Sequence, residues 1–143
     1  MIKFKKVKKL TPDIRQMLET LQFACLPEDA PVFPEDGVWW VGHDGSQAVA
    51  FCLIEPSCQW LDTAYLARSG VLKAWRGMGL QKKMITIRER YARSVGYRWM
   101  ISDTTDNPPS SNSLIAKGYR IFDPSAPWGM DCTIYWRKRL RDD

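Results

Sequence analysis

The sequence predicts a mixed α+β fold, and three observations carry that reading. Strand-like and helix-like periodicities follow one another in the order β-α-β-β-β-α-β-α-β-β. Turn and cap signals fall between them, at Thr11-Pro12-Asp13, Asp44-Gly45, Gly96 and Gly118. A chain of 143 residues with 45% hydrophobic and 12% aromatic residues is long enough for one core and short enough for one domain, taken as 1–143.

Ile2, Phe4 and Val7 alternate with lysines, which predicts a first strand with one solvated face. Thr11 is placed to cap a helix, with Pro12 at its first position. Ile14, Met17, Leu18, Leu21 and Cys25 then recur at helical spacing and predict one buried face. Leu26 to Gly37, rich in Pro and acid, reads as a loop or a broken short helix. Val38 to Val41 is strand-like, and Asp44-Gly45 turns it into a second strand over Ala48 to Ile54. Thr63 to Leu72 follows as a strand. Leu80, Met84, Ile87, Tyr91 and Val95 form the apolar stripe expected of a long helix, and Gly96 suits its C-terminal cap. Arg98 to Thr104, Tyr119 to Phe122 and Met130 to Leu140 supply the remaining strands, with a short helix over Asn107 to Lys117 stopped by Gly118.

The most telling stretch joins the strand ending at Leu72 to the long helix: Val71-Leu72-Lys73-Ala74-Trp75-Arg76-Gly77-Met78-Gly79-Leu80-Gln81. Glycines at a helix mouth let backbone approach a ligand, and the first free N–H groups of a helix bind anions. Arg76, Lys82 and Lys83 crowd a helix start where the macrodipole favours Asp or Glu, which suits either a polyanion such as pyrophosphate or a solvated basic face. Lys82 stands where a dinucleotide fingerprint needs a third glycine, and no Gly-Lys-Ser/Thr of a Walker loop is present.

Arg-Gly-x-Gly-Leu after such a strand resembles the coenzyme A loop of the GCN5-related N-acetyltransferases. Asn107-Pro108-Pro109-Ser110-Ser111-Asn112-Ser113-Leu114-Ile115-Ala116-Lys117-Gly118-Tyr119 is similar to that family's second signature, and Tyr135 to Leu140 to its closing strand. The resemblance covers nearly the whole chain, more loosely before Gly37. It implies a central, mostly antiparallel sheet of six to seven strands flanked by about four helices and splayed at the strand before the loop. It also implies acetyl-coenzyme A as co-substrate, a primary amine on a small molecule or protein as acceptor, and direct attack in a ternary complex. The segment 26–37 would lie over the acceptor site.

Residue by residue, the resemblance assigns the acetyl carbonyl to a backbone N–H at Val71, with Leu72 beside it. Gly77, Met78, Gly79, Leu80 and Gln81 would give N–H groups to the pyrophosphate, Arg76 would add charge, and Asn107 would reach the pantetheine arm, or else simply cap its helix. Three places depart from the family's pattern. Gln81 replaces the usual Gly or Ala. Leu114 stands where many members carry the Tyr that protonates the leaving thiolate, and Leu cannot donate a proton. Tyr65 stands six residues before Val71, where many carry a Glu as general base. Tyr65 is therefore the candidate catalytic residue, against a packing role for an aromatic on a strand. Glu55 and Asp62 are other candidates for the base. His43 reads as exposed and inert, and Trp39, Trp40, Trp60 or Trp128 as wall for an aromatic acceptor pocket. No Cys, Ser or His stands in a marked triad, which argues against a covalent acyl-enzyme.

Net charge is +5 at a pI near 9.1, with basic residues at both ends. This surface suits coenzyme A phosphates, an acidic substrate or nucleic acid, but no nucleic-acid motif accompanies it. Cys25, Cys52, Cys58 and Cys132 lack metal spacing and read as buried reduced thiols, with no metal site. No segment reaches the about eighteen apolar residues of a membrane span, and the basic start lacks the apolar core of a signal peptide, so a cytoplasmic protein is expected. A homodimer is compatible with all of this. Two rivals stand beside the enzyme: a coenzyme A-binding module whose chemistry is weak or lost, and a basic nucleic-acid-associated protein.

Overall fold

A computed structural model describes residues 1–141. The elements are β1 (Ile2–Lys6), α1 (Pro12–Cys25), β2 (Val38–Asp44), β3 (Gln47–Pro56), β4 (Thr63–Val71), a 3-10 turn (Lys73–Trp75), α2 (Leu80–Ser94), β5 (Trp99–Thr105), α3 (Pro108–Ala116), β6 (Arg120–Phe122) and β7 (Thr133–Arg139). They build a seven-stranded sheet in the order β1-β2-β3-β4-β5-β7-β6. The pairs β1/β2, β2/β3, β5/β7 and β6/β7 are antiparallel. Strands β4 and β5 are parallel, and their register covers only Thr63 to Tyr65 opposite Trp99 to Ile101, although both strands run on. This is the mixed α+β order read from the sequence. Among the described residues three α-helices and the 3-10 turn flank the sheet, and the proline-rich stretch after α1 forms no helix.

The chain divides into two compact units: Met1–Glu55 with Ala67–Leu80, and Pro56–Leu66 with the residues from Gln81 onward. In the first, Thr11 caps α1 by accepting the Ile14 N–H at 3.3 Å, and Pro12 opens the helix as expected. The buried face of α1 carries Leu18 and Leu21, packed with Trp39, Val41, Phe51 and Leu53. Full burial of side chains of this size contributes about 1.5–3 kcal/mol each. Strand β4 approaches this helix so closely at Gly70 that a Cβ there would sit 2.5 Å from the Cys25 Cβ. The segment after α1 is held from below by Gln22, wholly buried, which donates to the Val32 carbonyl and accepts the Val32 N–H, both at 3.1 Å. Arg68 adds a bond to the Ala30 carbonyl at 2.7 Å.

In the second unit the buried stripe of α2 runs through Met84, Ile85, Arg88, Glu89 and Ala92 rather than Ile87, Tyr91 and Val95, and Val95 is exposed. Two charged residues are buried because partners satisfy them: Arg88 donates to the Met84 carbonyl, and Glu89 pairs with Lys138 at 3.1 Å. Gly96 caps the helix at φ +98°, a left-handed angle that suits glycine. The strand expected from Met130 begins at Thr133. Cys58 and Cys132 are exposed, against the reading of four buried thiols; Cys52 is buried and Cys25 half-buried. His43 is half-buried at a β-bulge of β2.

Candidate active site

After β4 the chain makes its 3-10 turn, and Trp75 pins that turn by donating its indole N–H to Asp44 at 3.0 Å. Arg76 then donates its Nε–H to the Val71 carbonyl at 2.9 Å, tying the loop's cation to the strand end. Gly77 and Gly79 take φ of +81° and +76°, where L-residues with side chains are strained. A Cβ built on either meets nothing within 4 Å, so these glycines border open space. The helix that begins at Leu80 has no acid in its first turn, so its first N–H groups and Arg76, Lys82 and Lys83 present only positive charge. A helix start of this kind favours an anion over a cation.

At the end of β4 the N–H of Leu72 already donates to the Val49 carbonyl at 2.8 Å. Leu72, which the resemblance set beside the Val71 donor, thus has no free N–H of its own to give. Alternation along a strand turns the Val71 N–H to the other edge, so Val71 is the candidate donor. Met78 is exposed and Gln81 half-buried.

In the second unit, Asn107 caps α3: its Oδ1 accepts the Ser110 N–H at 3.2 Å, after a left-handed Asp106. Its amide N–H groups have no partner among the described residues. Leu114 is buried. Two neighbouring hydroxyls, those of Ser111 and Tyr119, are taken up in structure. Ser111 donates to Thr104 at 3.0 Å, and Thr104 also accepts the Trp136 indole N–H at 2.9 Å. Tyr119 donates to Glu89 at 2.7 Å, and burial, reinforced by the Glu89 charge, pushes its hydroxyl pKa far above the usual tyrosine range.

Tyr65 is half-buried and donates its hydroxyl to Asp103 Oδ2 at 2.7 Å. The same oxygen accepts the Trp128 indole N–H at 2.6 Å. Registers explain the meeting: Ile101 faces both Tyr65 and Arg137, and Asp103 faces Tyr135, so these side chains share one face of the sheet. Trp128 continues the contact into Tyr135 (4.5 Å between ring centres) and Trp60 (6.0 Å). Beside these rings lies a cavity of about 530 Å³ whose lining includes Trp60, Thr63, Trp99, Phe122 and Arg137. Of the tryptophans named as acceptor wall, Trp60 and Trp128 are here, whereas Trp39 and Trp40 are buried in the first unit.

Asp103 was missed by sequence reasoning. The signal was present, since Asp is depleted in strands and this one is the only charged residue of β5. Of the other acid candidates, Asp62 serves a turn: at φ +55° its carbonyl accepts the N–H of Arg98 at 2.7 Å and of Trp99 at 3.1 Å. Glu55 is the next-to-last residue of β3, where burial pushes its carboxyl pKa up.

The Acetyltransferase (GNAT) family matches residues 10–117. No curated protein sequence matches the chain. Among solved structures, a Desulfovibrio desulfuricans protein assigned to the GNAT family superposes with a TM-score of 0.82 at 12% identity, covering 99% of this chain and 100% of that one. The Escherichia coli ribosomal-protein-S18-alanine N-acetyltransferase gives 0.75 at 12% identity, covering 98% and 94%. A Bacillus subtilis acetyltransferase in complex with CoA gives 0.73 at 16% identity, covering 99% and 100%. Likeness at such identities speaks for the fold, and the family match spans most of the sequence: the chain belongs to the GNAT acetyltransferase family.

Proposed function

We propose that this chain is a single acyltransferase domain that moves an acetyl group from acetyl-coenzyme A to a primary amine of a small molecule or protein, by direct attack in a ternary complex. The observation that carries the reading is the Arg76-Gly77-Met78-Gly79 loop, with two left-handed glycines bordering open space at an acid-free helix start. Coenzyme A found with a structural neighbour supports the same ligand here.

The residues divide the work. N–H groups of Gly77, Met78, Gly79, Leu80 and Gln81 hold the pyrophosphate, Arg76 adds charge, and Asn107 offers its amide N–H to the pantetheine arm. Val71 N–H polarises the carbonyl. Acetyl-coenzyme A supplies the activated acyl group: the amine nitrogen bonds to the carbonyl carbon, the C–S bond breaks, and the sulfur leaves as a thiol once protonated. Tyr65, which donates its hydroxyl to Asp103, keeps an oxygen lone pair that orients the amine or a water by accepting a hydrogen bond, and the amine's proton leaves through that water to solvent. Leu114 is apolar and the Ser111 hydroxyl is engaged with Thr104, so neither is assigned the proton for sulfur. Water is the donor in this scheme.

Leu114 also favours a second reading, a coenzyme A-binding module without turnover. Free-thiol release across an amine panel separates the two. Binding is tested first: coenzyme A at a hundredfold excess over its dissociation constant should stabilise the fold by about 2.7 kcal/mol. Desulfo-pantetheine and ATP are the comparison ligands in a thermal-shift series. Gly79→Val, which puts a branched side chain at φ +76° and into the open space, should abolish that shift. No shift with millimolar coenzyme A on the unmodified chain sinks the proposal.

A further inference from the structure

Asp103 carries a charge that the fold does not answer. Its Oδ2 takes two hydrogen bonds, from Tyr65 at 2.7 Å and Trp128 at 2.6 Å, whereas Oδ1 has no partner among the described residues. No buried side-chain nitrogen or oxygen lacks a partner there, so Oδ1 opens to solvent. In a chain of net charge +5, no Lys, Arg or His pairs with it. Two basic residues on the same sheet face stack on rings instead: the Arg137 guanidinium lies over Phe122 and Trp99 (5.0 and 5.5 Å), and Arg139 over Trp99 (5.7 Å), while the exposed Arg120, opposite Arg137 on the far strand, forms no ion pair with Asp103 among the described residues. What surrounds the carboxylate is aromatic, in a chain of contacts running Tyr65–Trp128–Tyr135–Phe122 with Trp60 against both Trp128 and Phe122.

A carboxylate with one free oxygen beside several rings is chemically complementary to an alkylammonium ion. The oxygen accepts a charge-assisted N–H bond and the ring faces attract the cation. We propose that Asp103 Oδ1 is the seat of the acceptor's amine in its charged form. The acceptor is then a basic alkyl amine rather than an aryl amine or a nucleobase amine, which are neutral near pH 7. This inference rests on the acetyltransferase reading for the word acceptor, but the site is defined by binding alone. The neighbouring cavity of about 530 Å³ shares Trp60 and Phe122 with the cluster and has the size of a small-molecule site, so it receives the rest of the molecule.

The test follows tryptophan indole N–H signals by nuclear magnetic resonance at pH 7 during titration with n-butylammonium chloride. The neutral isostere n-butanol is the control ligand. Butylammonium should move the Trp128 indole signal saturably and butanol should not. Asp103→Asn, which keeps an oxygen for Tyr65 and Trp128 but removes the charge, should weaken binding at least tenfold. Asp103→Glu should recover part of it. The other indole signals report whether each variant is folded. Equal affinity for butylammonium and butanol, or for the parent and Asp103→Asn, overturns the site. Thiol release with butylamine is measured in parallel. Turnover without any dependence of binding on Asp103 refutes this inference alone, and binding as expected without turnover for any amine refutes the acetyltransferase reading alone.

Discussion

Glu89 and Asp103 each accept a tyrosine hydroxyl at 2.7 Å within the same unit, yet their surroundings differ. Glu89 is buried, its second oxygen accepts Lys138 at 3.2 Å, and Lys138 also donates to the Lys117 carbonyl at 2.8 Å. Every strong donor and acceptor there is answered. Asp103 is half-buried, takes both its bonds on one oxygen and has no cation. The contrast teaches that a tyrosine–carboxylate bond by itself says nothing of role. The closed network belongs to the fold, and the open one is available to a ligand.

The sharpest way to break the comparison is to delete each acid. Glu89→Ala leaves Lys138 and Tyr119 without their partner and should cost about 3–5 kcal/mol in urea unfolding. Asp103→Asn should change stability by less than about 1 kcal/mol in the same measurement. Equal losses would erase the distinction. Next come the tyrosines. Tyr65→Phe should lower turnover by about a hundredfold with coenzyme A affinity intact. Tyr119→Phe should leave turnover within about tenfold but lose about 1.5–3 kcal/mol of stability, as expected for a hydrogen bond to a charged group. A collapse of activity in Tyr119→Phe alone would move the catalytic role to that residue.

A pH series sharpens the closed side. Burial and then the Glu89 charge raise the Tyr119 pKa above its unfolded value of about 10. The raised value means the folded chain keeps a proton that the unfolded chain releases. The stability from Tyr119 is therefore complete below about pH 10 and is lost above it, at no more than about 1.4 kcal/mol per pH unit. Tyr119→Phe should flatten that alkaline loss in unfolding experiments. The smallest effect is expected for Ser111→Ala, with turnover within about tenfold, because its hydroxyl is spent on Thr104.

The order of elements, the α1 cap and the glycine loop were legible because each is written in local chemistry: an Asx- or Thr-type cap, a proline at the first turn, glycines where φ is positive. The buried stripe of α2 was not, because periodicity counts apolar residues and the fold buries Arg88 against the Met84 carbonyl one turn back and Glu89 with Tyr119 and Lys138 from elsewhere in the sequence. Asp103 escaped for a related reason. Its meaning lies in Tyr65 and Trp128, distant in sequence and brought together by strand register and a loop. The resemblance set Leu72 beside the Val71 donor, and only the pairing of β3 with the strand end reveals that the Leu72 N–H is spent.

The latch under the segment after α1 grips main-chain atoms alone: the N–H and carbonyl of Val32 and the carbonyl of Ala30. Gln22 and Arg68 therefore hold the course of the chain without reading the side chains at 28 and 29, which are exposed. Any residue that tolerates the backbone there keeps the grip. Mutational drift at Glu28 and Asp29 is uncoupled from folding, so a library randomised at those two positions should retain folded members throughout, while substitution of Gln22 alone should not be forgiven.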